Sequence, residues 1–182
     1  MTRASQAGLL ALRLMLMSRI AIAAEPSGSP MARESLTMCE RAEDLTDTEK
    51  PVILDRGLQL AEAAVAADSG DARAHFAVFC NLGKQAELAG LGLNSLATVR
   101  RLRQELDLAL GLSPDDADAL AAKGALLLNL PRLLGGDPAA AEQLLRRAVV
   151  LNPQNAAARR YLAQALVGRG SCDETFAQVA CR

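Results

Sequence analysis

One pattern of nine residues occurs three times along the chain, and each copy carries the signals that end one helix and begin the next. An Ala-rich or Leu-rich run is followed by a short polar segment and then by Ala, at 64–72, 109–117 and 148–156. The copies are separated by 45 and 39 residues. Because repetition at intervals of about 40 residues is typical of stacked helical units, this pattern predicts an array of similar elements.

The polar segments contain residues that cap helices. Ser113-Pro114, Asp137-Pro138 and Asn152-Pro153 each place a side-chain acceptor before Pro, which predicts an N-cap followed by Pro at the first helical position. Residues 171–174 have the spacing of a capping box. Helices are therefore predicted to begin near 114, 138, 153 and 172. Earlier helices are expected at 31–45, 51–68, 71–88 and 94–111, so the expected fold is all-α with eight helices.

Composition excludes several classes of protein. Of the 182 residues, 51% are hydrophobic and 2% aromatic, and the net charge is −1. A disordered chain would contain fewer apolar residues, and a nucleic-acid-binding chain would contain more basic and aromatic ones. No run reaches the roughly 18 uncharged apolar residues of a membrane-spanning helix. We therefore expect no nucleic-acid partner and no stable membrane span after processing.

The amino-terminal region differs in charge from the rest of the chain. Residues 1–24 contain three Arg and no acidic residue, and Ala21-Ile22-Ala23 matches the small-x-small pattern before a signal-peptide cleavage point. Residues 25–30 are predicted to form an extended linker, which leaves 31–182 as the helical domain. Export to the periplasm is the expected outcome. Arg13 interrupts the apolar stretch, so an uncleaved anchor and a cytoplasmic protein stay open as alternatives.

Residues 51–168 resemble tetratricopeptide repeats. The copy from Ala117 to Asn155 has small and large apolar residues at the spacing of that family. The resemblance implies a right-handed α-solenoid of three to four antiparallel helix pairs with a C-terminal capping helix, in which neighbouring units stack. Its packing residues, which allow paired helices to approach or fill the space between them, are Leu120, Gly124, Leu127, Ala141, Leu145, Ala148 and Pro153.

Two features distinguish the chain from an average member of that family. Its repeats exceed the usual length of about 34 residues, with additional residues at 83–96 and 130–135. The segment 130–138 (LPRLLGGDP) is similar to small exported helical-repeat proteins such as the T component of TRAP-type transporters. That similarity implies a periplasmic accessory whose partner is a solute-binding protein. The last helix, with Phe176 and Val179, either caps the array or contacts a second copy, so the oligomeric state stays open.

Groups suited to catalysis are scarce. His75 is the only histidine, and Cys80 lies five residues away, a spacing that separates the two side chains on a helix. The sequence contains no phosphate loop, dinucleotide motif, HExxH or CxxC. Helix capping explains Asp115, Asp116 and Asp118. We therefore expect a structural His75, no catalytic residue, no metal and no cofactor, and a protein that is not an enzyme.

The cysteines leave two alternatives. Cys172 and Cys181 would lie about 13.5 Å apart along a helix axis, which is too far for a bridge unless the tail is non-helical. Cys39 and Cys80 fall on the first helices of successive repeats, which pack side by side in such arrays. These two residues either form a disulfide or are two buried, reduced cysteines.

The concave face of the expected solenoid is the candidate binding surface. In arrays of this type the first helix of each pair lines the groove. Its mixture of cationic, amide and apolar side chains suits a peptide, a protein or a small ligand with anionic character. A non-catalytic binding or scaffold module is therefore the favoured function. The predicted groove residues are Arg73, Phe76, Lys84, Asp118, Asn129, Arg160 and Gln164, together with Cys80, Ala121 and Ala125.

Overall fold

The computed structural model describes residues 28–90 and 96–168, and this part of the chain is all-α. It contains seven α-helices and no β-strand. The helix predicted to begin near 172 and the predicted signal segment 1–24 lie outside the described residues. Single 3-10 turns follow the first helix at Ala42–Asp44 and the fifth at Arg132–Leu134. The helices are α1 (Pro30–Arg41), α2 (Lys50–Ala67), α3 (Ala72–Ala89), α4 (Leu96–Leu112), α5 (Ala117–Asn129), α6 (Pro138–Leu151) and α7 (Ala156–Gly168).

Each helix packs against the next one along the chain, from α1 to α7. In addition, α1 packs against α3, and α5 packs against α7. A buried cluster formed by α4 and α5 lies between the helices α1–α3 and the helices α6 and α7 in chain order, and it also contacts Phe76 and Phe79 of α3. The described chain therefore consists of an amino-terminal half, α1–α4, and a carboxyl-terminal half, α5–α7, which meet where α4 packs on α5.

The three copies of the nine-residue pattern adopt the same turn, at Asp68–Asp71, Ser113–Asp116 and Asn152–Asn155. In each turn the first residue donates its N–H to the carbonyl of a buried Ala four residues earlier, and the last residue donates to the carbonyl of the first. The side chain of the last residue then accepts hydrogen bonds from the free N–H groups of the next helix. The sequence repeat is therefore also a repeat of local structure.

Two of the predicted helix caps are wrong. Ser113 and Asn152 are the first residues of turns, and the prolines after them lie in those turns and not in α5 and α7. Proline suits the second position of a β-turn as well as the first position of a helix, so the motif alone does not separate the two. For α6 the prediction is confirmed, because Asp137 is the N-cap and Pro138 is the first helical residue.

The end of the predicted linker belongs to the helical body. Ser29 caps α1, and Pro30 is the first residue of that helix. The N–H of Ser29 donates to Asp71 Oδ2 at 2.7 Å, while Asp71 also caps α3. Burial opposes ionisation of Asp71, but the hydrogen bonds from Ser29 and from the backbone of α3 outweigh it and lower the pKa of this carboxyl. One carboxylate therefore joins the first turns of two helices.

Most of the predicted packing residues lie where α5, α6 and α7 meet. A Cβ added at Gly124 would lie 2.6 Å from Leu145 Cγ, so α5 and α6 approach closely only because this residue is Gly. Leu127 is half-buried. Pro153 is exposed in its turn, so its predicted packing role is wrong. The buried members of the set are Leu120, Gly124, Ala141, Leu145 and Ala148.

A disulfide and a buried polar cluster lie where α1, α2 and α3 meet. Cys39 and Cys80 are bonded, with their Cα atoms 6.1 Å apart. Beside them, Asn81 donates to Ser35 Oγ at 2.9 Å, and Ser35 donates to the Gly57 carbonyl at 2.7 Å. Asn81 Oδ1 has no hydrogen-bond partner among the described residues and occupies the space that a Cβ on residue 57 would need. The weakly polar Cα–H of Gly57 faces this oxygen instead.

Candidate functional site

At one end of the predicted groove, Arg73 of α3 is bound to the first turn of α5. Its Nη1 lies 3.2 Å from carboxylate oxygens of both Asp116 and Asp118. Asn155 donates to Asp118 at 2.9 Å, which extends the cluster to the start of α7. Since two carboxylates already surround Arg73, this residue links α3 to α5 and is not an open site for an anionic ligand.

Two of the apolar groove positions are mainly packing residues. Phe76 lies under the guanidinium of Arg73, 5.2 Å from its centre, and its ring stacks with Phe79 at 6.1 Å. Phe76 also packs against two buried clusters. Ala121 is 2% exposed, in a cluster against which Tyr161 packs. The predicted place of Ala121 on an open groove surface is therefore wrong.

At the other end of the predicted groove, Glu43 interacts with cations of two different helices. Lys84 of α3 forms an ion pair of 2.7 Å with Glu43, which lies on the 3-10 turn after α1. The hydrogen bond and charge of Lys84, with a further contribution from the charge of Arg160, lower the pKa of Glu43. Arg160 itself is exposed on α7, and its guanidinium lies 4.7 Å from the ring centre of Tyr161. Cations from α3 and α7 thus act on one carboxylate.

Amide side chains connect α5 and α7 on the same face. Gln164 donates to Asn129 Oδ1 at 3.4 Å, and Asn129 donates to the Ala125 carbonyl at 2.9 Å. Both amides belong to exposed residues. The structure therefore brings together three pairs from or next to the predicted set: Arg73 with Asp118, Lys84 with Glu43, and Asn129 with Gln164.

Among the clefts on the described surface are three to which the predicted groove residues contribute little. The first, of about 450 Å³, is lined by Arg73 and by the turns that hold Asp71 and Asp116. The second, of about 490 Å³, lies beside Pro138 at the start of α6. The third, of about 140 Å³, lies between α4 and α5 near Lys123. Apart from Arg73, no predicted groove residue lines one of these three clefts.

His75 has partners that the sequence did not indicate. Its Nδ1 lies 2.7 Å from Glu105 Oε2, and its Nε2 lies 3.1 Å from the Ser69 carbonyl oxygen. Both partners are acceptors, so a neutral ring donates to only one of them and a protonated ring donates to both. Arg101 lies 3.7 Å from Glu105 and also pairs with Glu62. This network connects α2, α3 and α4 and gives His75 a structural position away from the predicted groove.

The described residues contain neither a metal-binding cluster nor a membrane-spanning helix. Within residues 28–90 and 96–168, no group of three or more His, Cys, Asp or Glu could hold a metal ion. No described helix is both long and apolar enough to cross a membrane. Comparison with models of protein families and with curated protein sequences finds no match to this chain.

Proposed function

We propose that this protein is a non-catalytic binding module built as a right-handed, tetratricopeptide-like solenoid. Its partner is a protein or peptide segment that lies on the face formed by α1, α3, α5 and α7. The repeated turns support this architecture, because they join helices of similar length by the same hydrogen bonds. The packing of α1 on α3 and of α5 on α7 supports it too, since first helices lie side by side in arrays of this kind.

The observation that carries the proposal is the chain of polar contacts across this face. Arg73, Lys84, Asn129 and Gln164 each bond to a residue of a neighbouring unit. Such contacts hold the helices in one arrangement, so a partner meets a preformed surface and loses less entropy on binding. Arg160 is an exposed cation on α7, one of the helices of this face. We therefore expect it to meet an acidic group of the partner.

An extended partner fits this surface better than a small molecule does. Sites for small ligands are usually concave and bury most of the ligand, whereas neither Lys84 nor Arg160 lines any of the three clefts described above. Extended segments gain affinity from many shallow contacts along a surface. This distinction favours a peptide or a protein over a small ligand.

A second candidate function is that of an exported accessory subunit, similar to the T component of a TRAP-type transporter. The Cys39–Cys80 bridge favours it, because disulfides persist in the periplasm and are rare in the cytoplasm. The intact mass of the protein from its native host, without reducing agent, tests this point. Export predicts a mass that starts at residue 24 or 25, with a further deficit of about two mass units for the bridge. A full-length, reduced mass would contradict it.

The binding face is tested by cross-linking and by charge reversal. A photoreactive residue at position 164 should capture a partner in the native host, and the same residue at position 100 should not. The affinity for that partner is then measured by calorimetry for Arg160→Glu and for the matched control Arg100→Glu, an exposed residue of α4. We expect at least about a tenfold loss for Arg160→Glu, as is typical of a central charged contact. Equal affinities of the two variants would exclude this face.

A further inference from the structure

The loop between α5 and α6 is rigidly built. The N–H of Leu134 and that of Gly136 both donate to the Pro131 carbonyl, at 2.9 and 3.0 Å, and Asp137 donates to the Leu127 carbonyl at 3.0 Å. Gly135 has a φ of 80°, which favours Gly. Arg103 of α4 donates to the Gly135 carbonyl at 2.5 Å. Hydrogen bonds from the backbone and from the Arg103 side chain together hold this loop in a single conformation.

Structural requirements explain most residues of the loop but not all of them. Leu130 is buried, a Cβ at Gly136 would overlap the Leu130 carbonyl, and Asp137 caps α6. In contrast, Leu133 is 99% exposed. Arg132 is exposed next to it and forms no ion pair within the described residues. Because the Leu133 side chain is fully exposed on a hydrogen-bonded loop, it is free to contact another molecule.

A cleft lies beside Arg132, the residue that precedes this leucine. It measures about 490 Å³ and is lined by Arg132, Gly136, Asp137, Pro138 and Ala139. Its floor is mainly apolar, and its edge carries one cation and one anion. Asp137 uses Oδ1 to cap α6, and Oδ2 has no hydrogen-bond partner among the described residues. The loop therefore presents an apolar knob, an apolar cleft and two opposite charges on one small surface.

We propose that this loop is a self-association surface, where Leu133 of each copy enters the cleft of the other copy. A two-fold axis requires a surface that is complementary to itself, and adjacent knob and cleft fulfil that requirement. The same axis brings Arg132 of each copy toward Asp137 of the other, so the charges alternate around it. An unrelated partner would need only the leucine or only the cleft, whereas this loop carries both. Because a loop-sized interface is small, the dimer is weak and depends on concentration.

Sedimentation equilibrium of the full chain tests the proposal between about 10 µM and 1 mM, a range that covers weak protein contacts. We expect the average mass to rise from 19.1 kDa toward twice that value. Leu133→Asp should weaken association at least about tenfold, since it removes the apolar anchor. Arg132→Glu should weaken it less, because it places like charges opposite each other. Val52→Asp is the matched control, since Val52 is also exposed, at 72%, but lies on α2.

Several outcomes would overturn the proposal. One is a mass that stays at 19.1 kDa over the whole range, and another is a dimer that Leu133→Asp leaves intact. A monomer that binds vesicles of anionic lipid, and loses that binding in Leu133→Asp, would assign the loop to a membrane surface instead. The thermal unfolding midpoint of Leu133→Asp is measured in parallel. It should match that of the parent chain, since Leu133 makes no buried contact.

Discussion

The two halves of this molecule are held together by different interactions. The amino-terminal half, α1–α4, contains all of the buried polar residues found in the described chain, namely Ser35, Asp71, His75 and Asn81. It also contains the disulfide. The core of the carboxyl-terminal half, α5–α7, is apolar and consists of Leu, Ala and Val. The first half therefore combines apolar packing with specific buried bonds, whereas the core of the second half depends on close packing of small and large side chains.

This difference shows how one repeating pattern tolerates two kinds of core. Hydrogen bonds at the turns fix the repeat in both halves, and they do not depend on what fills the space between the helices. Buried polar pairs have strict geometry, so they select one arrangement of α1, α2 and α3. Apolar packing is less directional. When a buried apolar side chain is truncated, however, the protein loses stability in proportion to the volume of the cavity that is left. The two halves should therefore respond to different substitutions.

The largest effect is expected from Leu145→Ala in the carboxyl-terminal half. Leu145 is fully buried between α5, α6 and α7, and its truncation leaves a cavity next to Gly124. We expect a loss of about 3–5 kcal/mol in the free energy of unfolding, measured by urea denaturation. Val150→Ala is the control on the same helix, and because Val150 is 67% exposed its effect should stay within about 0.5 kcal/mol. Similar losses in the two variants would contradict the assigned core.

Removal of the disulfide should destabilise the other half. The bridge closes a loop with a sequence separation of 41 residues, and its loss frees that loop in the unfolded chain. The double variant Cys39→Ser, Cys80→Ser should lose about 3–4 kcal/mol. Hydrogen exchange should show faster exchange in α1–α3 than in α5–α7. Addition of a reducing agent should reproduce the effect in the parent chain and leave the double variant unchanged; an effect on both would assign it to the other cysteines.

A single methyl group tests the buried polar cluster of the amino-terminal half. Gly57→Ala forces the new Cβ against Asn81 Oδ1, and we expect a loss of about 2 kcal/mol from overpacking. Gly111→Ala is the control, since nothing lies within 4 Å of the added Cβ on α4. That variant should be stabilised by about 0.5–1 kcal/mol, because Ala favours a helix over Gly. If Gly57→Ala also stabilised the protein, the close approach of α2 and α3 would be wrong.

The smallest effect is expected at Asp71, and it depends on pH. Asp71 uses one carboxylate oxygen to cap α3 and the other to accept from Ser29, while an amide presents only one oxygen. Asp71→Asn should therefore cost about 1 kcal/mol at pH 7. Asp137→Asn should be nearly neutral, because Asp137 uses only Oδ1.

The sign of the pH dependence follows from the lowered pKa of Asp71. A carboxyl whose pKa is lower in the folded state contributes stability above its unfolded pKa, and this contribution is lost as the pH falls through the folded value. The difference in the free energy of unfolding between Asp71→Asn and the parent chain should therefore become smaller as the pH falls. Unfolding curves between pH 7 and about pH 3 measure it. A difference that grew in acid would contradict the assignment.

Local signals in the sequence were sufficient for the helices but not for every boundary. The Asp137-Pro138 start of α6 is confirmed, because the cap and the helix lie next to each other in the chain. Ser113 and Asn152 are misplaced as caps because Pro fits a turn equally well. The residues of the predicted groove face were assigned by helix register, but Ala121 is covered by packing against α7. Helix register predicts which residues share a face of a helix. It does not predict which of them a helix later in the chain will bury.

The sequence by itself determined that this protein is helical and which residues repeat, since capping and helix propensity act over a few neighbouring residues. Only the tertiary structure decided the partners of the charged and polar residues. The pairing of His75 with Glu105, the place of Asn81 beside Gly57, and the exposure of Leu133 depend on distant segments. The physical reason is that burial and charge pairing arise between helices that are far apart in the chain, so no local pattern encodes them.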